Sequence, residues 1–180
     1  NGSNAWQRLD GVGNNASRSG ETVELRIATT LTLRKGAKAL EVTTRFDNIA
    51  DDHRLRVMFP TGRKGTACHV ETAFDVVERD TAFGKGSPWE GTVGATFPMQ
   101  RFVDVSDGKA GLAIINDGLR AYEVTQTPER AIAMTLMRAY EVNLTTVSHR
   151  WDPHPEMRLS QAQGEHEFRY LVYPHAGTWE

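Results

Sequence analysis

Leu40-Glu41-Val42-Thr43-Thr44-Arg45-Phe46 alternates between side chains suited to a core and side chains suited to water. Successive side chains of a strand point to opposite faces. A period of two therefore places Leu40, Val42, Thr44 and Phe46 on one face, and Glu41, Thr43 and Arg45 on the other. A helix would scatter the same residues around its circumference. The stretch predicts an antiparallel strand with one face on a core and one face wet.

The same pattern extends in both directions. Towards the N-terminus, Val23, Leu25 and Ile27 alternate with Glu24, Arg26 and Ala28, and the pattern resumes at Leu31 and Leu33. Towards the C-terminus, Leu55, Val57 and Phe59 alternate with Arg54, Arg56 and Met58. The middle predicts a run of hairpins. Phe102, Val103 and Val105 lead into Asp107-Gly108, and Leu112, Ile114 and Ile115 lead into Asp117-Gly118, followed by Tyr122 and Val124. Asp-Gly suits a tight turn because glycine takes positive φ without a Cβ clash. Ile132, Met134 and Leu136 predict another strand. The last strand takes Phe168, Tyr170 and then Val172 or Tyr173, and is expected to stop at Pro174. The best helical candidate, residues 131–140, alternates as a strand as far as Met137. Strands and turns along the whole chain predict an all-β fold, a β-sandwich.

The 180 residues suffice for one domain with a real core. Residues 1–20, rich in Asn, Gly and Ser, read as a linker or ragged edge, and residues 21–180 as a single β-sandwich domain. A net charge of -2 without long charged runs gives no reason to expect nucleic acid or a membrane surface as partner. No apolar run approaches the roughly 20 residues of a membrane-spanning helix. Cys68 is the only cysteine, which excludes an intrachain disulfide and fits a reducing, cytoplasmic location.

Candidate chemistry is sparse. Asp104, Asp107 and Asp117 lie near turns, and Glu71, Asp75 and Glu78 share one short stretch; each reads as a solvated surface charge. His149, Asp152, His154 and Glu156 crowd one loop around Trp151, but their spacing matches no tetrahedral metal signature, so no metal site is assigned. Cys68 and His69 are neighbours on a predicted strand and point to opposite faces, so Cys68 reads as a buried structural thiol. The long loops at 79–99 and 148–163 are expected to be functional or to pack on another domain.

Five segments, in order, resemble the C-terminal region of glycoside hydrolase family 38. The first runs from Asp52-His53-Arg54-Leu55-Arg56 through Val57 to Phe59-Pro60-Thr61-Gly62, and the second is Phe74-Asp75-Val76-Val77-Glu78-Arg79. The third is Phe102-Val103-Asp104-Val105-Ser106-Asp107-Gly108, continuing from Gly111 to Gly118. Leu136-Met137-Arg138 follows, and then His166-Glu167-Phe168-Arg169-Tyr170 with Tyr173-Pro174-His175. The resemblance implies a large antiparallel β-sandwich of the galactose-mutarotase-like supersandwich kind, cut from a retaining, zinc-dependent α-mannosidase. It further implies that the zinc, the aspartate nucleophile and the acid/base carboxylate belong to an N-terminal catalytic domain. That domain and, through it, the α-mannoside substrate are the partners implied. The chain itself is then expected to hold no catalytic residue and no cofactor, and to be inactive alone.

By the same resemblance, Asn116 and Asp117 stand at a strand end near the rim of the sugar pocket. Eukaryotic-type members carry an arginine after this aspartate. Gly118 stands there instead, which points to a bacterial-type subgroup. The alternative reading is a non-catalytic carbohydrate-binding or scaffolding module. Such a module needs a platform of exposed aromatic rings. Trp6, Trp89, Trp151 and Trp179 are scattered through termini and loops, which favours the mannosidase reading.

Overall fold

The computed structural model describes residues 22–81, 96–140, 142–144, 151–153 and 155–180. The strands are β1 (Ile27–Thr32), β2 (Leu40–Asn48), β3 (Arg54–Phe59), β4 (Ala67–Glu71), β5 (Val76–Asp80), β6 (Phe97–Pro98) and β7 (Phe102–Ser106). They continue as β8 (Ala110–Asn116), β9 (Ala121–Val124), β10 (Ile132–Arg138), β11 (Val142–Leu144), β12 (Trp151–Pro153) and β13 (Gly164–Ala176), with one 3₁₀ turn at Pro155–Gln161. A seven-stranded sheet has the order β1-β2-β13-β8-β7-β4-β5, a four-stranded sheet has the order β3-β10-β9-β6, and β11 pairs with β12. The all-β expectation holds.

The chain divides into two compact units. One comprises Asn1–Ala28, Arg45–Leu55 and Met137–Glu167, the other Thr29–Thr44, Arg56–Leu136 and Phe168–Glu180. In the second unit the two sheets are layered as a sandwich. Cys68 and Val70 of β4, Val103 and Val105 of β7, Ile114 of β8 and Tyr170 of β13 are all buried, as are Tyr122 and Val124 of β9 and Ile132 and Met134 of β10. The Tyr122 hydroxyl lies 3.5 Å from Cys68 Sγ, and the Phe59 ring meets Tyr170 edge-on at 5.6 Å, so side chains of both sheets interlock. Burying each such aliphatic or aromatic side chain stabilises the fold by about 1.5–3 kcal/mol.

The first unit is held by a polar knot. Asn48 Nδ2 donates to Gln161 O at 2.8 Å and to Ala162 O at 3.1 Å. The Gln161 amide, 1% exposed, accepts from Asp52 N and donates to Asp52 Oδ1, both at 2.8 Å. Every polar atom of that amide is satisfied, as a buried amide requires.

Four expectations need correction. Every residue of β1 is exposed, with Leu31 at 63% and Leu33, just beyond it, at 70%; β1 is the edge strand and neither of its faces meets a core. Asp107-Gly108 closes the β7–β8 hairpin, but Asp117-Gly118 makes no hairpin, because β8 and β9 belong to different sheets. Gly118, at φ +96°, carries the chain across instead. A turn motif fixes local backbone angles and leaves the next strand's sheet undecided. Pro174 does not end the last strand: it pairs with Leu112, and the ladder continues to Ala176 opposite Ala110. A proline removes a single N–H, which a strand tolerates where no neighbour needs that donor. Finally, the loop expected at 148–163 contains β12 and the 3₁₀ turn.

Candidate functional site

Asn116 and Asp117 face different surroundings. Asn116 ends β8 opposite Tyr170 and is 6% exposed. Its Nδ2 donates to Arg101 O at 3.0 Å and Gln100 O at 3.4 Å, and its backbone N–H donates to Arg101 O at 2.7 Å. Its Oδ1 is buried without a partner. Asn116 thus stitches the end of β8 to the segment that enters β7. Asp117 is exposed, and its N–H reaches Arg169 O at 3.5 Å.

The carboxylates separate by environment. Asp107 is a turn residue whose Oδ1 accepts from the N–H groups of Lys109 and Ala110, both at 3.1 Å; these bonds hold its carboxyl below the usual range. Asp75 caps its own turn through Val76 N at 2.7 Å. Glu71 takes a two-pronged grip from Arg101, with contacts of 2.6–3.0 Å, and this pairing holds its carboxyl low. Asp104 contradicts the expectation of a solvated surface charge, since it is 0% exposed. It sits mid-strand in β7, pointing away from the sandwich core, and is covered there by His175 of β13. His175 Nε2 lies 2.6 Å from Asp104 Oδ2, while Oδ1 is buried with no hydrogen-bond partner. A visible signal existed: a carboxylate set in the centre of the apolar run Phe102-Val103-Asp104-Val105.

Register explains the gathering. His69 of β4 pairs with Asp104, Asp104 with Ala113 of β8, and Ala113 with Tyr173 of β13. These four therefore share the outer face of the sheet, while Cys68, Val70, Val103 and Ile114 fill the inner face. The predicted split of Cys68 and His69 holds, and burial pushes the Cys68 thiol up. On the outer face lies a cleft of about 460 Å³. Its floor is Asp104, Ala113 and Ile115, its walls include Phe102, Tyr173 and Trp179, and the Glu71–Arg101 pair stands at its rim. Trp179 stacks on His69 at 5.8 Å and on Phe102 at 6.3 Å, and Tyr173 stacks on His175 at 5.6 Å. Trp179 lies beyond the last strand, as expected, and gathers with these rings. Trp6, Trp89 and the side chains of 149–156 lie outside the described residues.

Residues 12–142 match the profile described as the glycosyl hydrolases family 38 C-terminal domain. The chain belongs to this family. The family 38 domain is 32% identical over 166 residues to a Halalkalibacterium halodurans protein provisionally named mannosylglycerate hydrolase, covering 90% of the chain and 17% of that protein. It is 27% identical over 154 residues to a Saccharomyces cerevisiae α-mannosidase, covering 84% of the chain and 12% of the yeast protein. The crystal structure of an Enterococcus faecalis V583 α-mannosidase superposes with a TM-score of 0.77 at 31% identity, over 90% of the chain and 17% of that structure. The family 38 domain therefore spans about a sixth or less of the length of these relatives.

Proposed function

We propose that this family 38 domain is the C-terminal β-sandwich of a retaining, zinc-dependent α-mannosidase. In that role it packs on the enzyme's own N-terminal catalytic domain and supports the rim of the sugar pocket. The observation that carries this reading is the family match combined with the small share of each relative that the chain spans. The zinc is proposed to belong to the catalytic domain, as the resemblance to family 38 implies. Asn116 and Asp117 are proposed at the pocket rim: the exposed Asp117 carboxylate reaches towards a sugar hydroxyl, and the engaged Asn116 amide fixes the strand end beneath it. A cytoplasmic location is proposed on the strength of the single cysteine.

The test uses the intact enzyme and the 180-residue chain side by side. The intact enzyme should hydrolyse an aryl α-mannoside with retention, lose activity to a chelator and regain it with zinc. Mannosylglycerate belongs in the substrate panel because one relative carries that name. The chain alone should be inactive. Chelator-sensitive turnover by the chain alone, or no α-mannosidase activity in the intact enzyme, would overturn the reading.

A further inference from the structure

We propose that the outer-face cleft between Trp179 and Tyr173 is a binding subsite for a neutral pyranose ring. This site lies wholly within the second unit and makes no use of Asn116 or Asp117. Three observations converge on it. First, its surface pairs flat rings with a small-residue floor: Phe102, Tyr173 and Trp179 stand around Ala113 and Ile115. A pyranose offers a matching apolar C–H face, and aromatic rings bury such faces favourably. Second, Asp104 lies in the floor, fully buried, with Oδ2 held by His175 and Oδ1 lacking any donor. A buried acceptor left unpaired is costly, so the site calls for a hydrogen-bond donor from whatever fills it. Third, charged side chains on its floor and at its rim have partners of their own, while Glu180 also lines the cleft. Arg101 pairs with Glu71, His175 with Asp104, and His69 lies 3.5 Å from Glu78. Hydroxyl groups donate without bringing charge, and a sugar satisfies both the rings and the orphaned oxygen.

Access runs past Trp179. The contacts that hold this side chain are the ring stacks on His69 and Phe102, and the ring is 37% exposed. A sugar ring entering from the open side lifts the indole and lies between it and the floor, with one hydroxyl donating to Asp104 Oδ1 and another meeting the Glu71–Arg101 pair.

The experiment uses the intact protein labelled with 5-fluorotryptophan, the Trp179 resonance being assigned by its loss in Trp179→Phe. Methyl α-D-mannopyranoside, methyl β-D-glucopyranoside and choline are titrated separately. A saturable shift of the Trp179 resonance by either pyranoside, with none from choline, is expected. Binding at a catalytic pocket elsewhere would shift other resonances and leave Trp179 still, which separates this proposal from the α-mannosidase reading. Arg101→Ala, at an exposed rim position, should weaken the pyranoside response about tenfold. Ala113→Met, which fills the floor, should abolish it while cooperative unfolding is retained. A Trp179 response to choline alone, no Trp179 response to any of the three, or a pyranoside response unchanged in Arg101→Ala would overturn the proposal.

Discussion

Asp104 on β7 and His175 on β13 meet at 2.6 Å although they stand 71 positions apart in sequence and one whole strand of the sheet, β8, lies between them. The contact runs diagonally over β8 and depends on what β8 places beneath it. The residue opposite His175 is Gly111, and a Cβ there would lie 2.4 Å from His175 Nε2. The glycine leaves the room through which the imidazole reaches the carboxylate.

Gly111→Ala should therefore destabilise the protein by about 1–3 kcal/mol, the usual cost of forcing atoms into a packed site. The urea midpoint should fall with an unchanged slope, which marks a loss of stability rather than a change in compactness. An unchanged midpoint would mean that the imidazole moves aside freely and that the pair with Asp104 is not tightly set.

Asn116→Ala and Asp117→Ala should fail in different ways. Asn116→Ala removes the bonds to the carbonyls of Gln100 and Arg101 in a buried place and should cost about 1–3 kcal/mol of stability. Asp117→Ala should leave stability nearly unchanged and, in the intact enzyme, lower kcat/KM by one to two powers of ten, corresponding to about 1.5–3 kcal/mol for a charged hydrogen bond to a sugar hydroxyl. If Asp117→Asn is as active as the parent and Asp117→Ala only lowers the melting temperature, Asp117 is a turn residue without sugar contact.

Cys68 should resist alkylation in the folded protein and react on unfolding. Burial is the main cause raising its thiol above the ordinary value of 9.0, against a smaller opposing effect of the Tyr122 hydroxyl. The sign for stability follows from linkage. A raised folded value means the unfolded chain loses this proton first, so the contribution is fully present below the unfolded value and is lost as pH rises through the folded one. Cys68→Ala should accordingly flatten the fall of melting temperature at alkaline pH. Rapid labelling at pH 8 in the native state would contradict the burial of the thiol.

Glu71 should titrate below the ordinary carboxylate range, because Arg101 grips both its oxygens. The depressed folded value makes its contribution present above the unfolded value and lost as pH falls through the folded one. Arg101→Gln should move the Glu71 carboxyl resonance, followed by carbon-detected NMR, back towards the ordinary range. The melting temperature at neutral pH should hardly change, since the pair is solvent-screened.

What the sequence determined by itself is the set of features governed by neighbouring residues. The period of two fixed β2 with Val42, Thr44 and Phe46 inward, placed Leu55, Val57 and Phe59 on one face of β3, and put Cys68 and His69 on opposite faces, because strand geometry is local. The family was legible in five ordered segments, and so was the glycine-bearing turn at Asp107-Gly108. Tertiary structure alone decided which strands lie side by side. The exposure of β1 follows from its place at the sheet edge, and the crossing at Gly118 follows from β8 and β9 joining different sheets. Asp104, His175, Ala113 and Trp179 form one cleft only because the order β13-β8-β7-β4 and its register bring distant residues onto a single face. Periodicity tells a residue which way to point, but the neighbours it meets there are set by the pairing of segments far apart in the chain.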